Sequence, residues 1–189
     1  IVGSGVGSPF RHHEAIELLR TRGFEKVPPY AVPQVMGNTV SACLATAFGI
    51  RGASYGLTSA CTTAAHCLGH GAELIRWGIQ DAVVVGGAEE VCWTSTALFD
   101  AMGALSTGFN DRPGAASRPY DAARDGFVIA GGAGILVLEE LDRALARGAH
   151  IYGELAGYGA CSDGADMVLP DADGAARAMR LALGEAPRR

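Results

Sequence analysis

At 189 residues the chain is long enough for one sizeable domain, and 49% hydrophobic with 19% charged residues marks it as globular rather than disordered. A formal net charge of −5 argues against a broad nucleic-acid-binding surface. No apolar run reaches the roughly 18 residues of a membrane span, and no signal peptide is visible.

Five cysteines, an odd number at irregular spacing, point to a reducing, cytoplasmic setting. The chain opens at Ile1 on a strand-like run and stops just after a helical pattern. Both ends read as cut, so a fragment is expected.

In chain order, "IVGSGVGSP" reads as a short strand entering a glycine turn. Gly3, Gly5 and Gly7 only loosely suggest a dinucleotide loop, because the strand is short, the third glycine is misplaced and no acidic residue stands about 20 positions on at a strand end. "HHEAIELLRTRG" predicts a helix ending at Gly23, and "EKVPPYAVPQ" an irregular connection. "VMGNTVSACLATAFGI" reads as a helix of small residues packed inside. "GASYGLTSA" reads as a strand and Ser59 to Trp77 as the next helix. "DAVVVGGAEE" is a continuous apolar run, the mark of a buried strand. "STALFDAMGAL" is helical in pattern.

The aperiodic stretch from Ser106 to Gly126 is long for a compact domain and points to a functional or mobile loop. "FVIAGGAGILVLEELDRALARG" predicts a strand flowing into a helix. "HIYGELAGYGA" alternates like another strand, "CSDGADMVLPDADG" is a loop, and "AARAMRLALGEA" begins a final helix. Alternating strands and helices predict an α/β domain with a mostly parallel sheet covered on both faces.

The chemistry concentrates in "SACTTAAHCLGH", residues 59–70. His66 and His70 share a helix face, with Cys67 nearby, but Cys61 falls away from them and the spacing matches no closed zinc pattern. A C-x-x-C redox pair is absent. Cys61 sits where the strand-like run meets the helix. There the free N–H groups and the helix dipole favour a thiolate, and the same amides suit a developing oxyanion. A nucleophile is the reading that fits best. Simple burial of a free cysteine is the alternative.

The stretches "ASYGLTSACTTAAHC", "VVVGGAEE", "FDAMGALST", "SRPYDAARDGFVIAGGAGILVLEELDRALARGAHIYGELAGYG" and "SDGADMVLP" together resemble the β-ketoacyl-ACP synthases of the thiolase superfamily. "EEVCW…FDAMGALS" looks most like the synthase I type of bacterial fatty acid synthesis. The resemblance implies the first αβα half of a five-layer αβαβα sandwich, incomplete. It divides the chain into residues 1–152, the first half with a truncated start, and 153–189, a strand, loop and helix leading into the second half.

It also implies a decarboxylative condensation of an acyl thioester with malonyl-ACP, without a cofactor or metal. Cys61 matches the family's nucleophile. Phe127 matches an aromatic residue near the malonyl thioester. Phe99 and Ser95 match positions lining the acyl pocket, and Met36 one contributed across a homodimer interface. Ser95 departs from the larger apolar residue common in this type, which leaves chain length open. Arg22 and Lys26, with Glu25 between them, are candidates for meeting acyl carrier protein. His66, His70 and His150 do not match the family's catalytic histidines, which belong to the second half. Asp121, Arg124 and Asp125 are expected to fix the long loop by charge-assisted bonds. Three other readings stay open: a ketosynthase of a polyketide or polyunsaturated-lipid assembly line, a non-catalytic partner such as a chain-length factor, which typically lacks the cysteine, and a metal-binding module.

Overall fold

A computed structural model describes residues 1–186. The elements in order are β1 (Val2–Gly3), α1 (Pro9–Arg22), α2 (Ala31–Val35), α3 (Thr39–Phe48), α4 (Thr63–Arg76), β2 (Ala82–Glu89), α5 (Trp93–Ala101), β3 (Gly132–Glu139), α6 (Leu141–Ala146) and α7 (Ala172–Glu185). The helix ends follow local chemistry. Ser8 caps α1 by accepting the Arg11 N–H, Pro9 stands in its first turn, and Gly23 closes it with φ 87°. Glu140 and Asp171 cap α6 and α7 in the same way, their carboxylates accepting first-turn N–H groups.

The sheet has the order β1-β2-β3. β1 runs parallel to β2, with Val2 opposite Gly86, and β3 runs antiparallel, from Ala82 opposite Glu139 to Glu89 opposite Gly132. Alternation along β2 sends Val83 and Val85 to one face, where they meet Ile1, Cys67 and Leu74, with Leu68, Ile75 and Leu138 packed around them. Complete burial of a side chain of this size contributes about 1.5–3 kcal/mol. α4 approaches this face closely because Gly71 has no side chain: a Cβ there would lie 2.3 Å from a Val85 methyl. α3 lies on the opposite face. Its Ser41 hydroxyl receives the Val2 N–H at 3.0 Å and lies 2.8 Å from the Tyr55 carbonyl, while Leu44 shares a cavity with Val84 and Val137. The result is an αβα unit.

Several expectations need correction. The sheet is mixed rather than mostly parallel among the described residues. It is not covered throughout, since Ile135, Leu136 and Val137 of β3 are exposed. α3 buries only Ser41 and leaves Cys43 and Phe48 open. The segment 52–60 is not a regular strand. Its backbone groups are taken by side chains, the Tyr55 carbonyl by Ser41 and the Ser59 N–H by Thr63, so no ladder forms. Residues 150–160 are not a strand either. Gly157 and Gly159 instead lie against the backbone of α7, and the Tyr158 N–H donates to Glu185 at 3.2 Å. The proline-rich connection contains the short helix α2, which accommodates Pro33 within its first turn.

Candidate active site

The turn before α4 is a closed hydrogen-bonded elbow. The Thr62 N–H and hydroxyl both donate to the Ser59 carbonyl, at 3.1 and 2.8 Å. The Thr63 N–H and hydroxyl both donate to the Ala60 carbonyl, at 3.2 and 2.7 Å, and the Ser59 N–H returns a bond to the Thr63 hydroxyl at 2.9 Å. Closing so tight a turn puts Ala60 at φ 51°, a left-handed conformation that costs a residue with a Cβ about 1–2 kcal/mol. Cys61 follows directly and is exposed, two residues ahead of a 14-residue helix whose N-terminal end carries free donors and a positive partial charge.

Two glutamates at the end of β2 hold the neighbouring glycine turn. Glu89 accepts the Ser4 hydroxyl and the Gly5 N–H, both at 2.7 Å. Glu90 accepts the Ser8 hydroxyl at 2.8 Å and the Phe10 N–H at 3.3 Å. Gly5 abuts the elbow, since a Cβ there would lie 3.2 Å from the Ala60 carbonyl oxygen. Cys61 therefore stands beside the carboxyl ends of β1 and β2, where open α/β sheets place their ligand crevices. The loose dinucleotide reading of this turn fails sterically. Leu57 and Val35 carbonyls fill the space beside Gly3 and Gly7, at 2.1 and 2.2 Å from where a Cβ would stand.

The companions of Cys61 are engaged elsewhere. Cys67 is fully buried in the core. His66 shares a 2.6 Å hydrogen bond with the Ser59 hydroxyl, and its ring meets Tyr158 edge-on. His70 bonds the Tyr55 hydroxyl at 2.7 Å and lies 3.4 Å from Glu73. Burial, foremost, raises the Tyr158 phenol above its ordinary range. Among the described residues no group of three His, Cys, Asp or Glu is placed to hold a metal ion.

The other sequence candidates fall into three places. Phe99 of α5 and Phe127 meet edge to face with ring centroids 5.7 Å apart. Ser95 lies one helical turn before Phe99 and receives a hydrogen bond from the Cys92 thiol at 3.3 Å. α5 starts four residues after the end of β2, and Gly131, four residues past Phe127, sits against the backbone of Glu89 and Val91. Met36 is exposed between α2 and α3, and its neighbours Val35 and Gly37 lie against the glycine turn at Gly7 and Ser4. Arg22 and Lys26 are exposed at and just past the end of α1 and form no ion pair among the described residues. Sequence reasoning missed Glu89 and Glu90, whose signal is an acidic pair closing an apolar strand.

The long loop behaves as expected of its charges. Asp125 accepts three hydrogen bonds from residues 106–108, with the Ser106 hydroxyl foremost, and these hold its carboxyl below the usual aspartate range. Arg124 donates to the Asp121 carbonyl at 2.9 Å, and Asp121 accepts the Ala123 N–H at 2.7 Å. Inside the loop, Arg118 lies over the buried Phe109 ring at 4.0 Å.

The family model for the N-terminal domain of beta-ketoacyl synthases matches residues 1–144. The chain belongs to the β-ketoacyl synthase family. It is 58% identical to 3-oxoacyl-[acyl-carrier-protein] synthase 1 of Escherichia coli (strain K12) over 184 residues, which is 97% of this chain and 45% of that protein. A β-ketoacyl synthase from Burkholderia phymatum STM815 superposes with a TM-score of 0.89 at 38% identity, covering 98% of this chain and 45% of that one. A ketosynthase solved with its type II PKS acyl-carrier protein and bound to the hexaketide superposes at 0.82 with 31% identity, covering 97% of this chain and 48% of that one. The chain spans about 45% of the length of the curated relatives it matches. Its αβα unit is part of the thiolase-like ketosynthase fold. No helix among the described residues is long and apolar enough to cross a membrane.

Proposed function

We propose that this chain supplies the acyl-accepting cysteine of a 3-oxoacyl-[acyl-carrier-protein] synthase acting in fatty acid elongation. The observation that carries the reading is the 58% identity to synthase 1 across 97% of the chain, with an exposed Cys61 on a strained elbow at the head of α4. In the first half-reaction the Cys61 sulfur attacks the thioester carbonyl of acyl-ACP. A Cys61 thioester forms, and the carrier's thiol leaves with a proton. The Cys61 N–H is positioned by its chain neighbours to serve as one oxyanion donor.

In the second half-reaction malonyl-ACP loses carbon dioxide, and the resulting carbanion attacks the Cys61 thioester. The Cys61 thiolate is expelled, and a 3-oxoacyl-ACP two carbons longer departs. Phe127 borders the malonyl thioester, and Phe99 and Ser95 line the acyl chain. Met36 belongs to a homodimer interface, and Arg22 with Lys26 meets the acidic carrier. The enzyme is cytoplasmic and uses no nucleic acid, membrane, metal or cofactor.

Residues 1–152 form the first half of the fold and residues 153–189 lead into the second, where the decarboxylating histidines belong; positions 187–189 lie outside the described residues. His66 and His70 already serve Ser59 and Tyr55, and His150 packs edge-on to Tyr152 at 4.6 Å. On this reading residues 1–189 alone do not condense acyl groups, and formation of 3-oxoacyl-ACP by them overturns it. Fatty acid elongation is favoured over a polyketide role because identity falls from 58% with synthase 1 to 31% with the polyketide ketosynthase. The test is incubation of the intact synthase with acyl-ACP and mapping of the acyl mass shift. Modification of Cys61, lost in Cys61→Ala, is expected; acylation elsewhere, or none, overturns the reading.

A further inference from the structure

One carboxylate governs the start of the long loop. Asp125 accepts the Ser106 hydroxyl at 2.5 Å through one oxygen and the Thr107 and Gly108 N–H groups at 3.0 and 2.7 Å through the other. The backbone two residues on grips the same segment from its other end. The Phe127 N–H donates to the Ala104 carbonyl at 2.8 Å, and the Phe127 carbonyl accepts the Ser106 N–H at 2.9 Å. Gly126 lets the two grips come this close. Its φ is 152°, and a Cβ there would stand 2.5 Å from the Leu105 carbonyl carbon. Asp125 and Phe127 are thus two jaws of one clamp on residues 104–108. The Phe127 ring projects from that clamp, 57% exposed, onto the edge of Phe99.

The Cys61 elbow is held by a different set of groups: Ser59, Thr62 and Thr63 within the turn, and Glu89 through Gly5. No hydrogen bond among the described residues is shared between the two sets.

We propose that Asp125 is a positioning residue that fixes the Phe127 ring through its hold on Ser106–Gly108, and so controls the malonyl half-reaction separately from acyl transfer to Cys61. The inference rests on the functional reading above, which places Phe127 beside the malonyl thioester. Asp125 touches no reacting atom. Releasing the segment lets Phe127 drift, and small misplacements of a site wall cost catalysis heavily.

The experiment separates the half-reactions in the intact synthase. Acylation of Cys61 from acyl-ACP, and condensation of preacylated enzyme with malonyl-ACP, are followed in single turnovers by mass spectrometry. Wild type, Asp125→Asn and Ser106→Ala are compared. Asp125→Asn is expected to acylate within about twofold of wild type and to condense about tenfold or more slowly, with Ser106→Ala in between. Equal loss in both half-reactions, or loss in neither, overturns the proposal. If Asp125→Asn does not fold, Ser106→Ala, which removes one donor only, carries the comparison, and an unchanged ratio of the two rates overturns it. A wild-type enzyme that is not acylated at Cys61 removes the functional reading, a distinct failure seen before any variant is compared.

Discussion

Phe99 and Phe127 touch edge to face at 5.7 Å, although one belongs to a helix and the other follows a long aperiodic loop. Such a contact adds about 0.5–1.5 kcal/mol beyond area burial, and the exposure of Phe127 places this pair at the low end. A double-mutant cycle with Phe99→Leu and Phe127→Leu, read by urea unfolding, is expected to give a coupling near 0.5 kcal/mol. A coupling of zero shows that the rings do not meet in solution.

Ala60 holds the elbow at φ 51°. Glycine at this position removes the steric cost but frees the unfolded chain, so Ala60→Gly is expected to change stability by less than about 1 kcal/mol. Ala60→Val adds a β-branched side chain to the same backbone and is expected to destabilise by more than about 1 kcal/mol. Thermal unfolding of the two variants checks the ordering, and a valine variant as stable as the glycine variant contradicts the strained turn.

Gly3 lets the segment before Cys61 lie against β1. A Cβ there would stand 2.1 Å from the Leu57 carbonyl oxygen and 2.6 Å from a Thr63 methyl. Backbone oxygen cannot give way as a flexible side chain can, so Gly3→Ala is expected to cost more than about 2 kcal/mol. The same displacement slows Cys61 acylation. Wild-type stability in Gly3→Ala would show that the approach is looser than the geometry requires.

The cysteines differ in access. Cys43, Cys61 and Cys161 are exposed, Cys92 is half-buried, and Cys67 is fully enclosed in the core. Brief alkylation of native protein is expected to label the first three, with Cys67 protected until denaturant is added. Peptide mapping reads the pattern. Early labelling of Cys67 contradicts the packing of α4 on the sheet.

The Asp125 carboxyl is held below the ordinary aspartate pKa of about 3.9 by the Ser106 hydroxyl first and then the N–H of Gly108. A lowered folded-state pKa means that the unfolded chain takes up the proton first as acid is added. The stabilisation from Asp125 is therefore fully present above the ordinary aspartate pKa and is lost as pH falls through the lower, folded-state value. The stability difference between wild type and Asp125→Asn is expected to be constant above about pH 5 and to close in stronger acid. A difference that persists unchanged into acid assigns it to shape, not charge.

The local signals were readable from sequence because they are local in cause. Gly23 ends α1 as its pattern predicts, while Ser8 with Pro9, read in the sequence as part of the glycine turn, opens the helix three residues before the predicted His12. The apolar run at 82–89 needs burial wherever it lies, and the turn into α4 at Cys61 follows from small and hydroxyl-bearing residues in series. The motif "SACTTAAHC" carried the family, and the aligned segments named Phe99 and Phe127 separately. Tertiary structure decided which of these groups meet. A strand exists only with a partner, so residues 52–60 and 150–160, strand-like in pattern, became irregular segments bonded to Ser41, Thr63 and α7. The direction of β3 against β2 is set by pairing across more than forty residues, which no local periodicity encodes. The grip of Glu89 on Gly5 and of Asp125 on Ser106 depends on chain segments brought together from far apart. Carboxylate hydrogen bonds of that kind leave no periodic trace in the sequence, because only the folded backbone brings donor and acceptor within 3 Å.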